Sequence, residues 1–447
     1  MRWSGLTVPR SSGRALWLGR TALALIFIGF FSGGGGDASE ALWLSFALAL
    51  TAGVGWVSAP SPIALRSLGP AALAFGAVIG VSVLTIIPLP GIVTRTGLYE
   101  VVGGRSLSIS PAATVIEIAK LFGLGCVFLC GVFAARGERT SARLVDACII
   151  LTSLWAAWSL ILFISSGDQA RLGAPLLSPN TAATLVGAGA ILTLGRLLAL
   201  RDARVAAADR RWEFTWLGGV LLLLSVALVL TQSRAGLSAA GLCGVGLAAC
   251  WPARPGGGGS RKKRWLLVGA AAMALLVVAE AARGVILRLP DLGEAAADRK
   301  DIFAVYWTAF LDAPLFGGGL GTATYVTKLG LTPETYESLW NVQSAHNWAL
   351  QWLAEGGLAA TIPMTAAIST LILGAFRGLD IRSARALLPL LFVNVMILTH
   401  GLTDFALQIP AFAMYWSFLL GLQVALGGAR AERLARYDAR ACGDTGR

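Results

Sequence analysis

The sequence predicts an all-α integral membrane protein of about twelve transmembrane helices with a helical cap on its outer face. Of its 447 residues, 56% are hydrophobic and only 13% charged, with a mean hydropathy of +0.71. A soluble domain of this size could not keep so much apolar surface from water. The apolar residues also gather into runs close to the roughly 20 residues that cross a bilayer. Finally, one connection on the outer side is long enough to fold by itself.

The runs lie near residues 15–31, 41–58, 70–87, 112–134, 144–165, 180–200, 214–231, 235–251, 265–280, 347–372, 386–402 and 407–427. The first follows Arg10, Arg14 and Arg20 and precedes a glycine-rich stretch, as a signal peptide would. With eleven runs behind it, a retained helix is the expectation. Residues 1–280 then hold the first nine spans, 281–346 form the outer loop with its amphipathic helix, 347–429 hold the last three spans, and 430–447 make a basic tail.

Charge distribution sets the orientation. With the start of the chain inside, 26 of the 36 Lys and Arg residues fall on inner segments, 9 on outer ones and Lys120 within a span. The positive-inside rule then puts both ends in the cytoplasm. The runs Arg261-Lys262-Lys263-Arg264 and Arg430–Arg440 mark topology beside anionic lipid, so the net charge of +12 implies no nucleic-acid partner. Cys126, Cys130, Cys148, Cys243 and Cys250 fall in spans and Cys442 in the tail. No disulfide framework or zinc spacing follows from them.

The candidate chemistry lies at the outer lip. Arg234 sits in a turn of a few residues between Leu217–Leu230 and Ala235–Trp251, where a charge is costly unless something anionic holds it. In the long loop, Ile302, Phe303, Val305, Tyr306, Phe310 and Leu311 recur at helical spacing, with Arg299 just before them and Asp312-Ala313-Pro314 as the stop. The run Gly317-Gly318-Gly319-Leu320-Gly321 follows. Lacking a preceding strand or a P-loop lysine, it is expected to be a flexible, close-packed turn rather than a phosphate cradle; Gly33–Gly36 and Gly256–Gly259 are expected to be linkers. His346 opens the tenth span directly after the cap, and a neutral imidazole there can accept a proton. His400 and Asp404 are expected to share an i,i+4 hydrogen bond at a helix end, and Glu117 and Lys120 to neutralise each other on one helix face.

Arginines bind phosphate oxygens bidentately, and a lipid-linked diphosphate lies at their depth. If that diphosphate carries a sugar, it is a good leaving group and needs no general acid. The protein must neutralise its charge and deprotonate an acceptor hydroxyl, which two arginines and a histidine supply. The outer loops contain no Asp-x-Asp pair or carboxylate cluster, so neither a metal nor another cofactor is expected.

The segment Leu230-Thr231-Gln232-Ser233-Arg234-Ala235-Gly236 resembles a signature of the O-antigen ligase and O-antigen polymerase superfamily. So do Arg299, fifteen residues before Pro314–Gly321, and Ser344-Ala345-His346-Asn347-Trp348 with the residues following to Gly357. Ser178-Pro179-Asn180-Thr181 and Thr403-Asp404-Phe405 are weaker matches. The resemblance covers about 178–427; Phe303 stands where the family often has Trp, and the glycine turn is longer than usual. It implies a GT-C-like enzyme in a bacterial inner membrane, with its active site facing the periplasm. The implied donor is an undecaprenyl-pyrophosphate-linked glycan, and the acceptor the lipid A core (ligase) or a carrier-linked repeat unit (polymerase). By the same resemblance Arg234 and Arg299 contact the pyrophosphate, His346 is the base, and Asn180, Asn347 and Asp404 are further substrate contacts. The rival classes are a transporter or flippase of a lipid-linked or small anionic substrate, which would carry midplane charge or inverted repeats, and a non-catalytic scaffold.

Overall fold

The computed structural model describes residues 10–58, 68–89, 95–102, 104–135, 138–167, 171–176, 178–202, 207–252, 292–376 and 381–444. The membrane helices are α1 (Arg10–Phe31), α2 (Ala38–Ser58), α3 (Gly69–Ile86), α4 (Pro111–Ala134), α5 (Glu138–Ser166), α6 (Pro179–Asp202), α7 (Ala207–Leu230) and α8 (Arg234–Cys250). The cap contributes α9 (Leu292–Asp312) and the short α10 (Ala323–Leu329) and α11 (Tyr336–Leu339). Then come α12 (Trp348–Phe376), α13 (Ile381–His400) and α14 (Pro410–Asp444).

The protein is an all-helical multi-pass membrane protein. Among the described residues nine helices are long and apolar enough to span a membrane, and two shorter apolar helices, Arg234–Cys250 and Ala384–His400, accompany them. The expected run near 265–280, the basic cluster 261–264 and Gly256–Gly259 lie outside the described residues.

Helices α4 and α14 cross with backbones nearly touching. A Cβ on Gly131 would strike the carbonyl of Phe418, and one on Gly421 the carbonyl of Phe128. Small residues allow this approach, and helix association in a membrane relies on packing of that kind. Buried amides add interhelical bonds: Asn394 Nδ2 donates to Gln423 Oε1 at 2.6 Å, and Trp416 Nε1 to Asn394 Oδ1 at 2.7 Å. Helix α6 packs against α5, α7, α8 and α13, and like α14 it is buried over 72% of its apolar window.

The ends of the bundle differ chemically. At one end Arg196 grips Asp146 through Nε and Nη2, at 2.5 and 3.0 Å. There Asp202 also receives Trp251 Nε1 at 3.0 Å and faces Arg385 Nη2 at 3.3 Å. The cap covers the other end, where α6, α8 and α12 begin and α13 ends.

On α9, Ile302, Tyr306 and Ala309 form the buried stripe, and they pack on Tyr99, Val326, Leu339 and Ala354. Leu311 departs from the expected apolar face and is 57% exposed, because nine residues at about 100° each put it opposite Ile302 on the helix; the helix ends at Asp312, whose Oδ2 accepts the Leu98 N–H at 2.7 Å. The Gly33–Gly36 stretch is more than a linker: Gly33, Gly34 and Gly35 hold φ of 101°, 93° and 73°, and the Gly34 carbonyl accepts the Ala411 N–H at 3.1 Å.

The glycine run after α9 is wedged into α12. Gly357 breaks that helix at φ 57°, ψ −167°. Across the break, Gly318 and Gly319 N–H bond the carbonyls of Ala354 and Glu355, at 2.9 and 2.7 Å. The N–H groups of Leu358 and Ala359 bond Pro314 and Leu315, both at 2.9 Å. The Glu355 carboxylate closes the joint, accepting from Gly321 N–H at 3.2 Å, Ala323 N–H at 2.7 Å and Gln351 Nε2 at 3.3 Å. Gly318, Gly319 and Gly321 thus spend their N–H groups inside the protein. The expected packed turn is found, but pinned at both ends rather than flexible.

Candidate functional site

Three residues, Thr231, Gln232 and Ser233, turn α7 into α8. Gln232 takes φ 51°, and Ser233 caps α8 by accepting the Gly236 N–H at 3.2 Å. Arg234 is therefore the first residue of α8 and is half-buried. The helix dipole there disfavours a cation by about 0.3–1 kcal/mol, while the positive end of the helix favours an anion. The position suits a guanidinium that serves an anionic ligand.

The loop between α5 and α6 folds over this turn. Arg171 donates from Nε to the Thr231 carbonyl and from Nη2 to Asn180 Oδ1, both at 2.9 Å. Asn180 in turn helps hold Asp404, a fully buried carboxylate whose Oδ2 also accepts from Ala406 N–H at 3.1 Å and the Thr181 hydroxyl at 3.5 Å. Burial pushes Asp404 up to about 6, and these hydrogen bonds offset only part of that shift.

His400 does not make the expected bond to Asp404. Its Nδ1 meets the Thr184 hydroxyl at 2.8 Å and its Nε2 the Ser233 hydroxyl at 3.4 Å. Helix α13 stops at His400, so the following residues never reach the next turn of the same face. The histidine instead ties α13 to α6 and to the cap of α8.

His346 also occupies the left-handed region, at φ 51°. That region is uncommon for a residue with a side chain and carries strain of roughly 1–3 kcal/mol when it is enforced. The ring is half-buried and packs edge-on against Phe405. Burial, then the positive charge of Arg299, hold the imidazole down at about 4. It is therefore uncharged at neutral pH, more firmly than its ordinary pKa near 6.5 would make it. Asn347 Oδ1 accepts the N–H groups of Ala349 and Leu350, at 3.0 and 3.1 Å, so this oxygen caps α12.

His346 lines a cavity of about 580 Å³ together with Glu117, Lys120, Thr324, Gln351 and Trp352. This opens beside an apolar groove of about 460 Å³ between α3, α4, α12 and α14. Leu124, Trp352, Leu407 and Ala413 border both. Arg234 and Arg299 are not among the cavity's lining residues. The structure thus brings Arg299 within electrostatic reach of His346, and joins the turn before Arg234 to His400 through Ser233. Among the described residues, no three His, Cys, Asp or Glu side chains gather as a metal site would require.

Arg171 and Phe405 carry parts of this arrangement that sequence reasoning did not assign. The one signal for Arg171 is a cation in a short loop, against the charge bias; Phe405 stands in the Thr403-Asp404-Phe405 match, which gave it no role.

A family model described as O-antigen ligase matches residues 219–365, a stretch that contains Arg234, Arg299 and His346. Comparison with curated proteins finds no match.

Proposed function

We propose that the chain, whose residues 219–365 match an O-antigen ligase family model, belongs to the O-antigen ligase and polymerase superfamily and transfers glycan from an undecaprenyl-pyrophosphate-linked donor at the periplasmic face of the inner membrane. In this proposal Arg234 and Arg299 bind the diphosphate, the first with help from the N–H groups opening α8. His346 takes the proton of an acceptor hydroxyl, on the lipid A core or on a carrier-linked repeat. The acceptor oxygen forms a bond to the anomeric carbon as the bond from that carbon to the phosphate oxygen breaks. Undecaprenyl pyrophosphate then leaves with the bonding electrons, and the arginines offset its charge.

The observation that carries this reading is the pairing of His346 with Arg299. Before the donor binds, burial first and then the charge of Arg299 hold the imidazole pKa down. When a diphosphate neutralises Arg299, the arginine's share of that suppression lifts and the imidazole becomes a stronger base, so some base strength arrives with the substrate. Asn180 joins Arg171 to Asp404 beside the turn before Arg234, and Asn347 positions His346 by capping the helix that follows it.

The test is glycan attachment in cells. His346→Ala and Arg234→Ala should insert and express normally yet abolish attachment; normal surface glycan in both variants would sink the proposal. A deletion strain separates the two acceptors. Accumulated carrier-linked polymer, with none on lipid A, marks a ligase; single repeats on lipid A mark a polymerase.

A further inference from the structure

We propose that the Glu117–Lys120 pair of α4 recognises sugar hydroxyls of the acceptor glycan, holding its reactive end in the cavity against His346. This rests on the glycan-transfer function proposed above and identifies the second substrate's place in it.

The first argument is position. Glu117, Lys120 and His346 line one cavity of about 580 Å³, within the roughly 300–1,000 Å³ common for ligand sites. Arg234 and Arg299 are outside that lining. With the donor's diphosphate assigned to the arginines, this cavity is left for the other substrate.

The second is unspent hydrogen-bonding capacity. Lys120 Nζ donates to Glu117 Oε2 at 3.1 Å, and the two side chains remain 26% and 29% exposed. Among the described residues neither side chain makes another hydrogen bond. An ammonium has three donors and a carboxylate two accepting oxygens, so N–H groups on Nζ and the oxygen Oε1 remain for a ligand. Glu355, close enough to feel the charge of Glu117, is the contrast, since its carboxylate is occupied by the glycine loop. Ionisable groups in membrane helices are expensive and rare, and they face the protein interior or a water-filled cavity. A donor beside an acceptor suits neighbouring sugar hydroxyls, each of which both donates and accepts.

The third is continuity with the bilayer. Trp352 borders both the cavity and the apolar groove, so a lipid-anchored glycan can lay its tail in the groove while its sugar occupies the cavity.

The experiment uses the full chain in lipid nanodiscs. Substrate is the glycolipid extract of a strain lacking this chain, which supplies unreacted donor and acceptor together. Lys120→Met and Glu117→Gln should each lower transfer at limiting extract by about tenfold or more, as expected for lost hydrogen bonds to charged groups. Saturating extract should restore much of the rate. Binding of undecaprenyl pyrophosphate alone, followed by thermal shift, should match wild type. The double variant Glu117→Lys, Lys120→Glu keeps an ion pair; a structural role predicts rescue by it, and recognition predicts none. Wild-type transfer in both single variants, rescue by the swap, or parallel loss of undecaprenyl pyrophosphate binding overturns the inference. If His346→Ala and Arg234→Ala still transfer glycan, the function itself falls. If those two are inactive while the α4 variants work normally, only the acceptor assignment falls.

Discussion

His346 stands edge-on to Phe405, with ring centroids 4.8 Å apart and planes at 89°. The imidazole belongs to the segment entering α12 and the phenyl ring to the segment entering α14. The orientation of the proposed base is therefore set across two parts of the chain that meet only in the folded protein. Such a ring pair is worth about 0.5–1.5 kcal/mol beyond its buried area. Phe405→Leu should lower kcat by about 2- to 10-fold with expression unchanged, and Phe405→Tyr should retain the rate. Equal rates for Leu and Phe at 405 would show that the ring does not orient His346.

Arg299 and burial together hold His346 at about 4. In Arg299→Gln the burial remains and the charge goes, so the imidazole pKa should rise but stay below its ordinary value near 6.5. The chain has 2 histidines, so nitrogen-15 spectra of labelled imidazoles can follow this one directly. An unchanged midpoint would mean that the arginine's charge does not reach the ring.

Asp404 presents the opposite case, a carboxyl raised to about 6 by burial. A group whose folded pKa lies above its unfolded value stabilises the fold fully at pH values below the unfolded pKa, near 3.9. That contribution is lost as pH rises through 6, and it amounts to roughly 3 kcal/mol. Asp404→Asn should therefore raise the melting temperature at pH 7 and leave it nearly unchanged at pH 3.5. A variant that is less stable at pH 7 would assign the carboxylate a partner strong enough to repay its burial.

Gly319 and Gly321 hold φ of 98° and 82°. A Cβ on the first would enter the Ser108 side chain, and one on the second would lie 2.9 Å from the Ala113 carbonyl. Alanine at either position should lower the melting temperature by an amount corresponding to at least about 1–3 kcal/mol of strain. Gly53→Ala is the control, because its helical position has nothing within 4 Å of the added atom. It should be neutral or stabilising by about 0.5–1 kcal/mol.

The membrane helices were legible because hydrocarbon thickness imposes a length and apolar runs reveal it. Eleven of the twelve runs coincide with helices among the described residues. The Glu117–Lys120 pair was legible from spacing alone, since i and i+3 are neighbours on any helix. His400 was misassigned because the same rule presumes that the helix continues, and α13 ends at that residue. Arg171 was invisible because its partners, Thr231 and Asn180, become neighbours only when the α5–α6 loop folds over the turn. Glu355 resembled part of a motif, but its work is to satisfy N–H groups of a loop some thirty residues earlier. Local periodicity carries no information of that kind.

The break at Gly357 makes the cap and the bundle one mechanical body. Lifting the cap like a lid would strip four backbone hydrogen bonds from the interior of α12 and leave Glu355 with two unmet contacts, each such loss costing about 1–3 kcal/mol. A roof fastened in this way does not hinge. On the function proposed above, substrates reach His346 sideways, where the cavity meets the apolar groove between the helices, and the depth at which they float decides which of them arrive.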